Sequence, residues 1–156
     1  MQGNVYSWLI RVIGNEKDPT RVKIKLNDDQ IAFKTYCDGV LINGFSIEGK
    51  VTGSNFGIGI QVKDGTNAIL GASMIYKDLS TAIEVVNNSF CFSNNANIQN
   101  SLKGINAISS VVDCKNSIFK ECEYAVVSVN RSSVITDNSE LINCGTGLYA
   151  KNVSMQ

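Results

Sequence analysis

The sequence predicts an all-β chain folded as a right-handed parallel β-helix, with three short strands in each coil. Two observations lead to this fold. Apolar residues recur with a fixed period of about 22 residues, which is typical of a solenoid. Within each period they alternate with polar residues, as in strands that bury one face. Helical spacing of apolar residues is not sustained anywhere in the 156 residues.

Three columns of residues carry this period. In the most regular column a small residue precedes an apolar one: Gly59-Ile60, Ala82-Ile83, Gly104-Ile105, Ala125-Val126 and Gly147-Leu148. Its successive steps are 23, 22, 21 and 22 residues. Two further apolar columns are Ile69, Phe90, Val112, Ile135 and Ile75, Ile98, Phe119, Leu141. Each copy therefore reads as three strands separated by polar corners.

Asparagine and serine form columns at the predicted corners. These columns are Asn95, Asn116, Asn138 and Asn67, Asn88, Ser110, Ser133. Asparagine tolerates the left-handed backbone of a sharp bend, and it can hydrogen-bond nearby backbone groups. We therefore interpret most of the 18 asparagines as part of the architecture.

The regular register covers residues 57–156, and the stretch VLINGFSIEG at 40–49 matches an earlier coil. Residues 1–39 alternate in part but do not fit the register, so we expect irregular first coils or an N-terminal cap there. Residues 40–156 are expected to be coils of the β-helix. The sequence ends within a coil without a capping helix, so we expect either a segment of a longer chain or an end that other subunits cover.

Composition excludes several classes of function. Lys plus Arg equals Asp plus Glu at 14 each, which gives no basic surface for nucleic acid. The chain has no histidine, which excludes Ser-His-Asp and Cys-His catalysis and histidine-ligated zinc within it. No apolar run is long enough for a membrane span, and no signal peptide is expected.

The five cysteines are an odd number without a CxxC pair, which predicts free thiols. Cys122 and Cys144 occupy one column and should lie one coil apart. Parallel neighbouring strands seldom orient their Cβ atoms for a bridge. We therefore expect these two residues to be stacked as free thiols.

Cleavage of polysaccharides by glycosidases needs two carboxyl groups roughly 5–9.5 Å apart. Each predicted outward column contains a single carboxylate: Gln61, Glu84, Asn106, Val127, Tyr149; Leu70, Cys91, Asp113, Thr136; and Met74, Asn97, Ile118, Glu140. The local pairs Asp28-Asp29 and Glu121-x-Glu123 fall at predicted corners and read as solvated surface. We therefore predict no catalytic residue, no metal site and no cofactor, and an absence of enzymatic activity in this chain.

The outward columns do offer two kinds of binding surface. Gln61, Glu84, Asn106 and Tyr149 form an aligned strip in which an aromatic ring and hydrogen-bonding groups suit sugar recognition. Met74, Ile118, Val127 and Ile142 are apolar and predicted to face outward, which is typical of a subunit interface.

The stretch SSVITDNSELINCGTGLY, residues 132–149, resembles the parallel β-helix repeats of the pectin-lyase-like superfamily. It is most similar to the repeats of bacteriophage tail fibres and tailspikes, which share Ser- and Asn-rich turns. This resemblance implies a homotrimer in the virion tail, assembled in the host cytoplasm, that attaches to bacterial surface polysaccharide.

The signatures of polygalacturonases and pectate lyases are missing, as is the histidine those hydrolases use. The leading hypothesis is therefore a structural and receptor-binding segment. Two alternatives stay open: part of a polysaccharide depolymerase, either a hydrolase or a lyase, and a baseplate or surface adhesin component of the same fold.

Overall fold

A computed structural model describes residues 10–50 and 57–152, which form a parallel β-solenoid of six coils with three strands in each coil. The strands are β1 (Ile10–Ile13), β2 (Lys23–Lys25), β3 (Ile31–Thr35), β4 (Val40–Asn43), β5 (Phe45–Glu48), β6 (Ile58–Val62), β7 (Asn67–Leu70), β8 (Met74–Lys77), β9 (Thr81–Val86), β10 (Phe90–Phe92), β11 (Asn97–Gln99), β12 (Lys103–Ile108), β13 (Val111–Asp113), β14 (Ile118–Lys120), β15 (Tyr124–Val129), β16 (Ser133–Ile135), β17 (Glu140–Ile142) and β18 (Thr146–Lys151). The predicted all-β parallel solenoid with three strands per coil is confirmed.

Each coil contributes one strand to each of three six-stranded sheets. The first sheet has the order β1-β4-β7-β10-β13-β16, the second β2-β5-β8-β11-β14-β17, and the third β3-β6-β9-β12-β15-β18. All strand pairs are parallel, so every coil lies in register on the one before it.

The strand register confirms the small-apolar column and corrects the other two. Ile60, Ile83, Ile105, Val126 and Leu148 stack in the third sheet, as predicted. The core columns of the other sheets are Ala68, Cys91, Val112, Val134 and Tyr76, Ile98, Phe119, Leu141. The predicted columns were wrong by one residue at Ile69, Phe90, Ile135 and Ile75. Steps of 21 to 23 residues vary in the corners, and a one-residue slip turns a side chain to the opposite face.

The core lies inside the three sheets. The column of small residues lies where the packing of the core leaves the least space. A Cβ atom at Gly104 would lie 2.5 Å from the carbonyl oxygen of Ala125 and 2.7 Å from the Phe119 ring. The same atom at Gly59 would lie 2.5 Å from the Ala82 carbonyl oxygen. The chain needs a small residue here because the backbone of the next coil and an inward aromatic ring take the space.

The corners are columns of residues in the left-handed backbone conformation. The corner between the second and third sheets has Asp78, Asn100, Glu121 and Asn143, all with φ between 45° and 56°. The predicted column Asn95, Asn116, Asn138 is confirmed at the corner between the first and second sheets, with φ between 55° and 62°. The other predicted corner column is wrong by one residue at Asn67, Asn88 and Ser133, because the stacked serines are Ser89, Ser110 and Ser132 and Asn67 pairs with Phe90.

Residues 10–39 supply the first strand of each sheet, and a short 3-10 helix, Pro19–Arg21, lies between β1 and β2. Ile10 pairs with Val40 and Phe33 with Ile60, which are steps of 30 and 27 residues. These longer steps explain why the regular period does not extend to this part of the chain. Residues 1–9, 51–56 and 153–156 of the predicted segments lie outside the described residues.

No helix among residues 10–50 and 57–152 is both long enough and apolar enough to cross a membrane. At the last coil the inward positions are open to solvent: Leu141 is 46% exposed and Leu148 65%.

Candidate functional site

The outer face of the third sheet brings the predicted strip together. Gln61 pairs with Glu84, Glu84 with Asn106, Asn106 with Val127, and Val127 with Tyr149. Lys34 extends this column by one coil, since it pairs with Gln61. With about 4.8 Å between neighbouring strands, Gln61 and Tyr149 lie roughly 19 Å apart along the solenoid axis.

The Glu84 carboxylate is the centre of a hydrogen-bonded ladder that runs across three coils. Gln61 Nε2 donates to Glu84 Oε2 at 2.6 Å, and Asn106 Nδ2 donates to Glu84 Oε1 at 3.2 Å. Both carboxylate oxygens are therefore used, and the two amides fix the orientation of the side chain. Gln61 Oε1 is buried and has no hydrogen-bond partner among the described residues.

Next to this ladder lies an open depression of about 400 Å³. Its lining comprises Lys103, Asn106, Ile108, Tyr124, Val127, Val129 and Tyr149. The rings of Tyr124 and Tyr149 meet edge to face, with centroids 6.0 Å apart and planes at 79°. Tyr149 is 41% exposed, so its ring is accessible from solvent.

Four of these lining residues were not predicted. Ile108 and Val129 pair with each other two residues beyond Asn106 and Val127, so strand alternation alone could have placed them on the same face. Lys103 and Tyr124 also pair with each other, but they share the alternation phase of the core residues Ile105 and Val126. That phase predicts an inward position, and only the structure shows that they line the depression.

A basic and aromatic cluster lies at the other end of the same sheet. The ammonium groups of Lys34 and Lys63 lie 5.5 Å and 5.8 Å from the centre of the Tyr36 ring. Lys63 also forms an ion pair with Asp64 at 2.7 Å, which lowers the pKa of the Asp64 carboxyl. This cluster is strongly exposed at Tyr36, and sequence reasoning did not identify it.

The predicted subunit-contact residues divide into three groups. Met74 is 1% exposed and lies in the core, so its outward placement was wrong: Ile75, not Met74, aligns with Asn97 and Ile118. Val127 does lie in the outward column of the third sheet, but its neighbours cover it to 6% exposure. Ile118 and Ile142 are exposed on the second sheet, as expected.

A set of exposed apolar side chains lies on the first sheet, where none was predicted. Ile69, Phe92 and Ile135 share one outward column there, with Asp113 between Phe92 and Ile135, and Val111 lies in the column beside it. The four apolar side chains are each 37–43% exposed. We call this set the first-sheet apolar face. The sequence pattern did not predict this face, because the one-residue register error placed Ile69 and Ile135 in the core.

Carboxylates do not form a catalytic pair on the sheet faces of the described residues. Glu84 lies on the third sheet and Asp113 on the first, so they face different sides of the solenoid. At a corner, however, Asp78, Glu121 and Glu123 line one depression of about 210 Å³. Within residues 10–50 and 57–152 no group of acidic or cysteine side chains is arranged to hold a metal ion.

All five cysteines lie in the described ranges, and all are free thiols. Cys114 Sγ donates to the Ile135 carbonyl at 3.2 Å, and Cys144 Sγ donates to the Phe119 carbonyl at 3.4 Å. Burial raises the pKa of Cys122 to about 11 and that of Cys114 to about 12. Cys114 and Cys122 therefore stay protonated near neutral pH and act as small core residues.

No protein-family model matches the sequence, and a search of curated proteins finds no match either. Function is therefore inferred from the fold, from the geometry of the third sheet and from the resemblance of residues 132–149 to known β-helix repeats.

Proposed function

We propose that this chain is a structural and receptor-binding segment of a phage tail fibre or tailspike, and that it presents its solenoid surface to bacterial envelope glycans. One observation carries the proposal. The outer face of the third sheet aligns an exposed aromatic ring, Tyr149, with a ladder of amide and carboxylate groups beside an open depression. Such a face suits a sugar chain, because aromatic rings pack on pyranose faces while polar groups bond to hydroxyls.

Binding is favoured over catalysis by the hydrogen bonding of the Glu84 carboxylate. Both oxygens of Glu84 accept hydrogen bonds from amides, so the group is held as a fixed acceptor. Glycoside hydrolysis needs a second carboxyl group on the other side of the scissile bond. The described part of the strip, from Lys34 to Tyr149, supplies no second one.

The test is binding of purified capsular polysaccharide and O-antigen to the chain, measured by calorimetry or biolayer interferometry. Tyr149→Ala should weaken binding roughly tenfold, since it removes the exposed stacking surface. Tyr36→Ala is the control, because Tyr36 is an exposed aromatic residue that lies outside both the depression and the proposed trimer contact. Unchanged binding by Tyr149→Ala, or equal losses in both variants, would contradict the proposal.

The competing proposal is a polysaccharide depolymerase, and the corner depression with Asp78, Glu121 and Glu123 is the observation in its favour. Incubation of the same polysaccharides with the chain, followed by assays for new reducing ends and unsaturated sugars, separates the two. We expect no products. Sustained product formation that is abolished by Glu121→Gln, Glu123→Gln, Glu84→Gln or Asp113→Asn would establish the depolymerase instead.

The proposal includes self-association as a homotrimer, which would multiply weak sugar contacts. The first-sheet apolar face supports this part, because clusters of exposed apolar side chains often mark sites of protein contact. Ile118 and Ile142 are further exposed apolar residues on the neighbouring second sheet. We therefore move the proposed trimer contact from the predicted set, which included Met74 and Val127, to these two sheets.

A further inference from the structure

The depression on the third sheet combines features that a plain hexose would leave unused. Its floor includes the apolar side chains of Ile108 and Val129, which pair with each other and are only partly buried. A neutral hexose presents hydroxyl groups on nearly every carbon. Hydroxyls placed on such a floor would lose hydrogen bonds to water without replacement.

The polar groups beside this floor are a donor and an acceptor. Asn106 Nδ2 is held by Glu84, which turns the amide so that Asn106 Oδ1 accepts no hydrogen bond from any described residue. Lys103 Nζ makes no ion pair within the described residues and lines the same depression. A free acceptor and a free donor thus flank an apolar floor.

An acetamido group matches this set of features. Its methyl suits the floor of Ile108 and Val129, its N–H suits Asn106 Oδ1, and its carbonyl suits the Lys103 ammonium. The edge-to-face pair of Tyr124 and Tyr149 would then pack against the sugar ring. We infer that the third-sheet depression is a subsite for an N-acetylated hexosamine unit of the bound glycan. This inference rests on the proposed glycan-binding function and names the sugar class that the site takes.

The experiment is saturation-transfer difference NMR with methyl glycosides of N-acetylglucosamine, N-acetylgalactosamine, glucose and galactose. The N-acetylated pair should give signals, with the largest transfer at the acetamido methyl, and the plain hexoses should give much weaker ones. A preference between the two N-acetylated sugars identifies the orientation of the 4-hydroxyl that the site accepts. Equal signals from acetylated and plain sugars, or no signal from any of them, would overturn the inference.

Two variants separate the subsite from the wider binding function. Val129→Ser should weaken N-acetylated sugars about fourfold, since it removes contact with about one methyl group. Ile13→Ser, at an exposed apolar residue of the first coil outside both the depression and the first-sheet apolar face, should leave all four sugars unchanged. Thermal unfolding of both variants checks that they are folded.

If polysaccharide binding depends on Tyr149 while acetamido selectivity is missing, the inference fails and the proposed function stands. If no polysaccharide binds at all, the proposed function fails first. If Val129→Ser and Ile13→Ser weaken the sugars equally, the depression is not the subsite.

Discussion

At the scale of single residues, the core contains one polar group in an unfavourable place. Tyr76 is fully buried in the stack of Ile47, Ile98 and Phe119, and its hydroxyl has no hydrogen-bond partner among the described residues. Burial also raises the pKa of this hydroxyl well above its ordinary value. An unsatisfied buried hydroxyl costs stability. The aromatic ring of Tyr76, in contrast, packs against Gly59 and does not need the hydroxyl to do so.

Tyr76→Phe should therefore raise the free energy of unfolding by about 1–2 kcal/mol, because it removes an unpaired polar group and keeps the ring. Urea unfolding followed by circular dichroism measures this change. Tyr124→Phe is the matched control, since Tyr124 is partly exposed on the third sheet, and it should leave the free energy of unfolding unchanged. A loss of stability in Tyr76→Phe would show that the hydroxyl is paired in solution.

The buried thiols make the free energy of unfolding depend on pH in the alkaline range. The pKa of Cys122 is raised to about 11 and that of Cys114 to about 12, whereas an unfolded cysteine titrates near 8.5. Between these values the folded chain keeps protons that the unfolded chain releases. The stabilisation is complete below the unfolded pKa, and it is lost as pH rises through the folded pKa.

The urea midpoint should therefore be flat from about pH 6 to pH 8 and should fall steadily above about pH 9. A Cys114→Ala, Cys122→Ala variant should be less stable at neutral pH but should show a shallower decline. An equally steep decline in this variant would mean that other groups cause the alkaline loss.

At the scale of strands and corners, the fold class and one of the three core columns could be predicted from the sequence without error. The third sheet was predicted in register because its small-apolar pair is constrained on both sides, by the next backbone and by an inward ring. The other two columns were predicted one residue out of register because the corners differ in length from coil to coil. A sequence pattern alone does not show which corner takes the extra residue.

The same slip explains what was right and wrong about the candidate site. Gln61, Glu84, Asn106 and Tyr149 were placed correctly because they follow the well-determined column by one residue. Met74 was misplaced because its strand, β8, was predicted one residue out of register. Tyr124 was missed since its alternation phase predicts a core position, and its position in the depression depends on three-dimensional contacts.

The left-handed corners make a prediction of their own. Glu121 has φ of 55°, while its stacked neighbours at this corner include Asn100 and Asn143. Glutamate is strained in this conformation, whereas asparagine tolerates it. Its only ion pair, within the described residues, is an exposed contact with Lys120 at 3.7 Å, which contributes little.

Glu121→Asn should stabilise the chain by roughly 0.5–1 kcal/mol in urea unfolding. The converse change, Asn116→Val, should destabilise it by about 1–2 kcal/mol, because a β-branched residue replaces asparagine at φ of 55°. If the two changes have the same sign, backbone conformation does not decide stability at these corners.

At the scale of the whole molecule, the three outer faces of the solenoid differ in character. The third sheet carries the polar and aromatic strip, the first sheet carries the apolar face, and the corner between the second and third sheets is acidic. The three sheets keep these faces separate over six coils, so the proposed sugar-binding face and the proposed subunit contact would not compete for the same surface.

Analytical ultracentrifugation should show a homotrimer at micromolar concentration. Replacing Phe92 and Val111 together by serine should shift the equilibrium to monomer, since both lie on the first-sheet apolar face. Replacing Tyr36 by serine, on the third sheet, should leave the trimer intact. A monomeric wild-type chain, or a trimer that survives the Phe92 and Val111 changes, would contradict the proposed contact.

The central claim, that the outer face of the third sheet is the glycan-binding surface, is tested most directly by hydrogen–deuterium exchange with bound polysaccharide. Amides of β12, β15 and β18 should be protected when the polysaccharide is added, and those of β10 and β13 should not change. Protection centred on β10 and β13, or none on the third sheet while the polysaccharide is bound, would contradict the account.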